Sequence, residues 1–178
     1  MDTTREAELT ELLDRERIRD CIHRYCRGID RRDEAALLSS YWPGAKERHG
    51  AYVGNAEGFI KVAMARMQVG ERYIHFVSNS TFAFRGAAAD VESYFLVLIR
   101  EPDAHNVQQD VLLAGRYMDV FKKRQSEWRV AERTVLFDWF QPLGAPAGTE
   151  AERFGARLPI GSFYPDDPTS TLFAPHHG

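Results

Sequence analysis

The 178-residue chain has only two cysteines, Cys21 and Cys26. Their spacing within a helical stretch matches neither a C-x-x-C redox pair nor a zinc half-site, so both read as reduced thiols in or near the core. Apolar residues nowhere run on for about 18 positions, the length a membrane-crossing helix needs. The N-terminal segment MDTTREAELTELLDRERIRD is acidic where a secretory signal would open basic and then turn apolar, so a cytoplasmic protein is expected. Neither sign of charge dominates: 23 Lys and Arg stand against 26 Asp and Glu, a net charge of -3, and the two are mixed along the chain. That balance leaves no electrostatic footprint for nucleic acid or for an anionic membrane. Motifs are missing too. There is no G-x-G-x-x-G, P-loop or G-x-S-x-G, and His23, His49, His75, His105, His176 and His177 form neither H-x-H nor H-E-x-x-H. No metal site and no cofactor are expected.

What is present suits one globular domain, with 44% hydrophobic and 12% aromatic residues. Leu9, Leu12, Leu13, Ile18, Ile22, Tyr25, Cys26 and Ile29 recur at helical spacing, which predicts one long amphipathic helix over the first thirty residues. Asp33 and Asn55 read as N-caps of two further helices, one ending before Pro43 and one over about 56–68. Beyond Gly70, segments 72–85, 88–101, 107–123 and 127–140 are rich in Val, Ile, Phe, Tyr and Thr and read as strands. A short hairpin near 46–53 adds edge strands. Helices followed by a meander is the α+β order. In 127–140, Trp128, Val130, Leu136 and Phe140 would line one face and Val135, Phe137 and Trp139 the other. Both faces look buried, so the sheet meets helices on one side and either another subunit or the C-terminal tail on the other. That tail, 143–178, is rich in proline and reads as extended or partly disordered, with Asp166 and Asp167 solvated.

Four residues stand out for chemistry. Asp30 comes at the C-terminal end of the long helix, where the macrodipole disfavours a negative charge and favours a proton acceptor. The plainer reading is a solvated acid paired with a neighbouring arginine. His75, on the first long strand, shares a face by alternation with Val77 and Asn79, and a carboxylate on one ring nitrogen would orient it as a base. It could equally be structural. Arg133 shares a strand face with Val135 and Phe137, where a guanidinium needs an anion, either a structural partner or a ligand. Tyr25 could donate a phenolic hydrogen bond or simply fill the core. Trp42, Tyr52, Asn79, Tyr94, Val135 and Phe137 are pocket-lining candidates.

Ile22-His23-Arg24-Tyr25 leading to Ile29-Asp30-Arg31-Arg32-Asp33, His75 with Asn79, Gly115-Arg116-Tyr117-Met118-Asp119, and Glu127-Trp128-Arg129-Val130 with Arg133 follow one another in this chain. In that order and spacing they resemble the SnoaL-like branch of the NTF2-like superfamily, over about residues 8–142. Within it the chain is most similar to the scytalone dehydratase, bile-acid 7α-dehydratase and hexachlorocyclohexane dehydrochlorinase families. The resemblance implies an α+β cone, a barrel-like fold with N-terminal helices on a strongly curved antiparallel sheet, occupying 1–142 and followed by the tail. It also implies a homo-oligomer, most simply a trimer joined through the convex sheet face. The activity it implies is cofactor-independent elimination or isomerisation of a small apolar or ring substrate. His75 would then be the base, Asp30 its orienting partner, and Arg133 or Tyr25 an assistant at oxygen. The superfamily also holds non-catalytic ligand binders and assembly subunits, such as small subunits of ring-hydroxylating dioxygenases, and these are the alternative.

Overall fold

The apolar periodicity of the first thirty residues folds as expected. In the computed structural model, which describes residues 3–172, helix α1 runs Thr3–Arg31 and buries Ile18, Cys21, Ile22, Tyr25, Cys26 and Ile29. The final residues, His176 and His177 among them, lie outside the described residues. Leu9, Leu12 and Leu13 at the start of α1 remain exposed, so only the second half of the helix is covered. Gly28 permits the next helix to close on α1: a Cβ there would meet Leu37 Cγ at 2.8 Å. Helix α2 (Glu34–Ser39) is capped by Asp33, whose side chain accepts from the Ala36 N–H at 2.9 Å. Asn55 caps α3 (Ala56–Met67) in the same way through the Gly58 N–H.

Between these helices lie β1 (Tyr41–His49) and β2 (Tyr52–Asn55), and after them β3 (Arg72–Arg85), β4 (Ala88–Pro102), β5 (Gln108–Arg124) and β6 (Glu127–Gly144). They form one six-stranded sheet in the order β2-β1-β6-β5-β4-β3. Strands β3 to β6 are the expected antiparallel meander, but β1 lies parallel to β6. The sheet is therefore mixed rather than antiparallel, and it stays open, with β2 and β3 as its edges. The cause is the connection. From β2 the chain passes through α3 to the far edge before the meander begins, and the last strand returns beside β1 in the same direction.

The mixed alternation of the last strand comes from bulges. Phe121 pairs with Val130 and Val120 with Glu132, leaving Ala131 extra; Gly115 pairs with Phe137 and Ala114 with Trp139, leaving Asp138 extra. Each extra residue resets the alternation and bends the strand. Trp128, Val130, Arg133, Val135, Phe137 and Phe140 consequently share the concave face, while Leu136 and Trp139 turn to the convex one. A further bulge does the same in β3. Val77 pairs with Phe95 and Ser80 with Ser93, so two residues, Ser78 and Asn79, oppose Tyr94. Asn79 is exposed instead of following His75 and Val77 inward.

The tail does not hang free over its described length. Helix α4 (Glu150–Phe154) is tied to β3 and its approach by Arg72 Nε to Glu150 at 2.8 Å and Arg153 to Glu71 at 2.8 Å. Further on, the Tyr164 N–H donates to the Arg31 carbonyl at 2.7 Å, which occupies an otherwise orphan acceptor at the end of α1. The ring of Phe163 lies under the Arg32 guanidinium. Asp167, expected to be solvated, is instead buried, accepting from the Ser162 and Thr169 N–H groups with Arg31 at 3.6 Å.

Two predictions follow from this packing. At Gly115 a Cβ would lie 2.0 Å from the Leu136 carbonyl oxygen and 2.8 Å from the Phe95 ring. Gly115→Ala is expected to cost about 1–3 kcal/mol in a urea titration through forced backbone movement. The Thr169 hydroxyl, followed by the N–H groups around it, holds the Asp167 carboxyl down at about 2. A depressed carboxylate stabilises in full above its unfolded value of about 3.9 and loses that contribution as pH falls toward the folded value. Proteolysis of the 150–172 segment should therefore be pH-independent between about pH 5 and 8, accelerate only in strong acid, and accelerate at neutral pH in Asp167→Ala.

Candidate active site

The concave face of the sheet, the inner side of α1 and the body of α3 enclose a cavity of 390 Å³. Its wall is mostly apolar, with Ile29 from α1, Phe59 and Met67 from α3, and Phe95, Val97, Leu113, Phe137 and Phe140 from the sheet. Polar groups enter at few points: Tyr25, His49, Tyr52, Arg66, Tyr73, His75, Glu101 and Tyr117. Such a cavity, apolar with a few converging polar groups, is the usual form of a small-molecule site. Arg66 and Glu101 pair at one end, and the Tyr73 hydroxyl lies 3.4 Å from Glu101. Burial, with Glu101 adding to it, pushes the Tyr73 phenol up to about 12.

His75 and Asp30 meet on this wall. Asp30 falls within the last turn of α1. Its Oδ1 lies 2.6 Å from His75 Nδ1, and its Oδ2 accepts the His75 backbone N–H at 2.9 Å. Strand β3 is an edge, so that N–H has no neighbouring strand to bond, and the helix end supplies the missing acceptor. Both side chains are largely buried, 11% and 13% exposed. A carboxylate can only accept, so Nδ1 carries the hydrogen of this bond. His75 also borders a second, smaller opening of 260 Å³ shared with His23, Cys26 and Asp30.

Arg133 is near this cavity but does not line it. Its Nε and Nη2 each bond Asp119 at 2.7 Å, with both side chains fully buried. The guanidinium carbon lies 4.2 Å from the ring centres of Tyr25 and Tyr117, which meet edge to face. Those two rings line the cavity, and Arg133 supports them from behind. Burial works against the Arg133 charge, but Asp119 outweighs it and holds the group well above its ordinary value. Burial also pushes the Tyr25 phenol up, so it stays protonated and able to donate.

Of the other candidates, Tyr52 and Phe137 line the cavity. Trp42 does not: its Nε1 donates to the Lys122 carbonyl, and Arg124 and Arg129 flank its ring. Tyr94 points to the convex side beside Arg116, Asn79 is exposed at its bulge, and Val135 is buried opposite Tyr117 without reaching the cavity.

Residues 10–134 match the SnoaL-like domain. The chain belongs to that family. Among its relatives, the gamma-hexachlorocyclohexane dehydrochlorinase of Sphingobium indicum is 25% identical over 158 residues, spanning 84% of this chain and 99% of that one. The crystal structure of a type 2 hexachlorocyclohexane dehydrochlorinase superposes with a TM-score of 0.69 at 24% identity, over 80% of this chain and 99% of the other. A scytalone dehydratase-like protein from Novosphingobium aromaticivorans gives 0.67 at 18% identity, over 79% and 97%. These structural likenesses fix the α+β cone fold of this SnoaL-like chain.

The sequence reading assigned no role at the site to two buried acids. Asp119 is the partner of Arg133, and pairing β5 with β6 in register would have found it, since the two residues lie directly opposite. Glu47, buried on β1, had no local signal beyond its neighbour His49. Arg133→Met in this SnoaL-like domain would leave Asp119 buried and unpaired, a loss of about 3–5 kcal/mol by thermal or urea unfolding. Replacing both with Met and Leu should recover most of that loss.

Proposed function

We propose that this SnoaL-like protein is a cofactor-independent lyase acting on a small, mostly apolar ring compound. The contact that carries the reading is His75 Nδ1 to Asp30 Oδ1 at 2.6 Å on the wall of the 390 Å³ cavity. Asp30 fixes the tautomer and stabilises the imidazolium, and His75 takes a proton from carbon through Nε2. The electron pair left behind forms the new double bond as the leaving group departs. An isomerase would use the same base and return the proton to another carbon. Tyr25 donates its phenolic hydrogen to oxygen on the substrate, and Arg133 positions Tyr25 without touching the substrate. The dehydrochlorinase relatives, whose name denotes an elimination, support the reaction class for this chain.

The same proposal includes a homotrimer. Phe76 and Trp139 are 57% and 61% exposed on the convex face, with Ile74, Leu96, Leu98 and Met118 around them. An apolar patch of that composition is usually covered by another subunit.

The test is elimination measured on a panel of chlorinated cyclohexanes and cyclic β-hydroxy ketones. His75→Ala and Asp30→Asn are expected to lower kcat by about 10²–10⁴-fold with unchanged circular dichroism and oligomeric mass. Full turnover by either variant would sink the proposal.

A further inference from the structure

A second histidine stands in the same cavity. His49 ends β1, and its ring is stacked on Phe59 at 4.5 Å and 17° with Phe137 against its edge. The sheet order places β1 four inter-strand steps from β3, so on the curved sheet His49 and His75 occupy opposite walls. His49 Nδ1 lies 3.3 Å from Glu47 Oε1, a carboxylate with no exposed side-chain surface. The other Glu47 oxygen, Oε2, is buried with no hydrogen-bond partner, although Glu47 pairs in register with Arg133. A buried acid of this kind calls for an explanation beyond packing. Among the described residues nothing bonds His49 Nε2. The cavity thus holds two carboxylate-backed imidazoles, one on each side.

We infer that His49, held by Glu47, is the general acid that protonates the departing group, and that the atom leaving the substrate is a basic oxygen. The inference rests on the reading of His75 as the base. His75 Nε2 bonds the proton on carbon, and the C–H electron pair becomes the C=C bond. The C–O bond breaks with its pair on oxygen, and that oxygen takes the Nε2 proton of the His49 imidazolium. The products are an alkene and a neutral alcohol or water. His75 is left protonated and His49 neutral, and one proton returned through solvent resets both. A halide leaves without a proton, so an acid placed opposite the base is of use only where the leaving atom is basic.

The experiment varies the leaving group. 3-Phenoxycyclohexanone expels a basic phenoxide, and 3-(4-nitrophenoxy)cyclohexanone expels one that needs little protonation. His49→Gln and Glu47→Gln should lower turnover of the first by about 10²–10⁴-fold while changing the second only a few-fold. His75→Ala should suppress both. Equal losses on the two ketones in His49→Gln, or no loss on either, overturn the His49 assignment. Unchanged turnover in His75→Ala overturns the base while leaving the His49 comparison to be judged by itself. Binding of 4-nitrophenol gives a readout without turnover. Below its solution ionisation the wild type and His75→Ala should show the visible phenolate band of a pair with imidazolium, and His49→Gln should lose it. The same band in all three proteins overturns the assignment.

Discussion

One carboxylate, on the last turn of a helix of 29 residues, accepts two hydrogen bonds from a single residue on the sheet edge. Asp30 thereby joins α1 to β3 and sets the ring of His75 in one orientation. A negative charge at a helix C-terminus is unfavourable on its own. Here it is offset by the edge N–H and the imidazole, so the groups that could react also fasten the helix to the sheet. The tail serves the same joint from outside, since Tyr164 bonds the Arg31 carbonyl and Asp167 approaches the Arg31 side chain.

The floor of the cavity is built on the opposite plan. There the charge is sealed: Arg133 and Asp119 satisfy one another without exposed surface, and the rings of Tyr25 and Tyr117 separate them from the cavity. Buried pairs of this type contribute little net stability but are costly to break singly. Their effect is to hold two aromatic walls in fixed positions, which is what a preformed site needs.

Much of the fold was legible because its signals are local. The caps Asp33 and Asn55 bond N–H groups three residues on, so composition and spacing suffice to find them. The strands were visible for the same reason. Bulges were not. One extra residue at Ala131 or Asp138 leaves the composition of β6 unchanged while exchanging its faces, which is why Phe140 and Val135 seemed to oppose one another and Asn79 seemed to accompany His75. Asp30 and His75 are 45 residues apart, and no periodicity reports such a contact; the order of motifs along the chain suggested it. Trp42 and Tyr94 have the chemistry of pocket walls, and only the strand face decided against them.

The smaller opening beside Cys26 gives His75 two sides. On the proposed chemistry, the substrate occupies the apolar chamber, while the same imidazole borders a polar recess lined by His23, Arg27 and Arg31. Proton traffic and carbon traffic then use separate doors. A proton that arrives at Nε2 from the chamber is matched at the other ring nitrogen, where Nδ1 bonds Asp30 and Asp30 itself borders the recess.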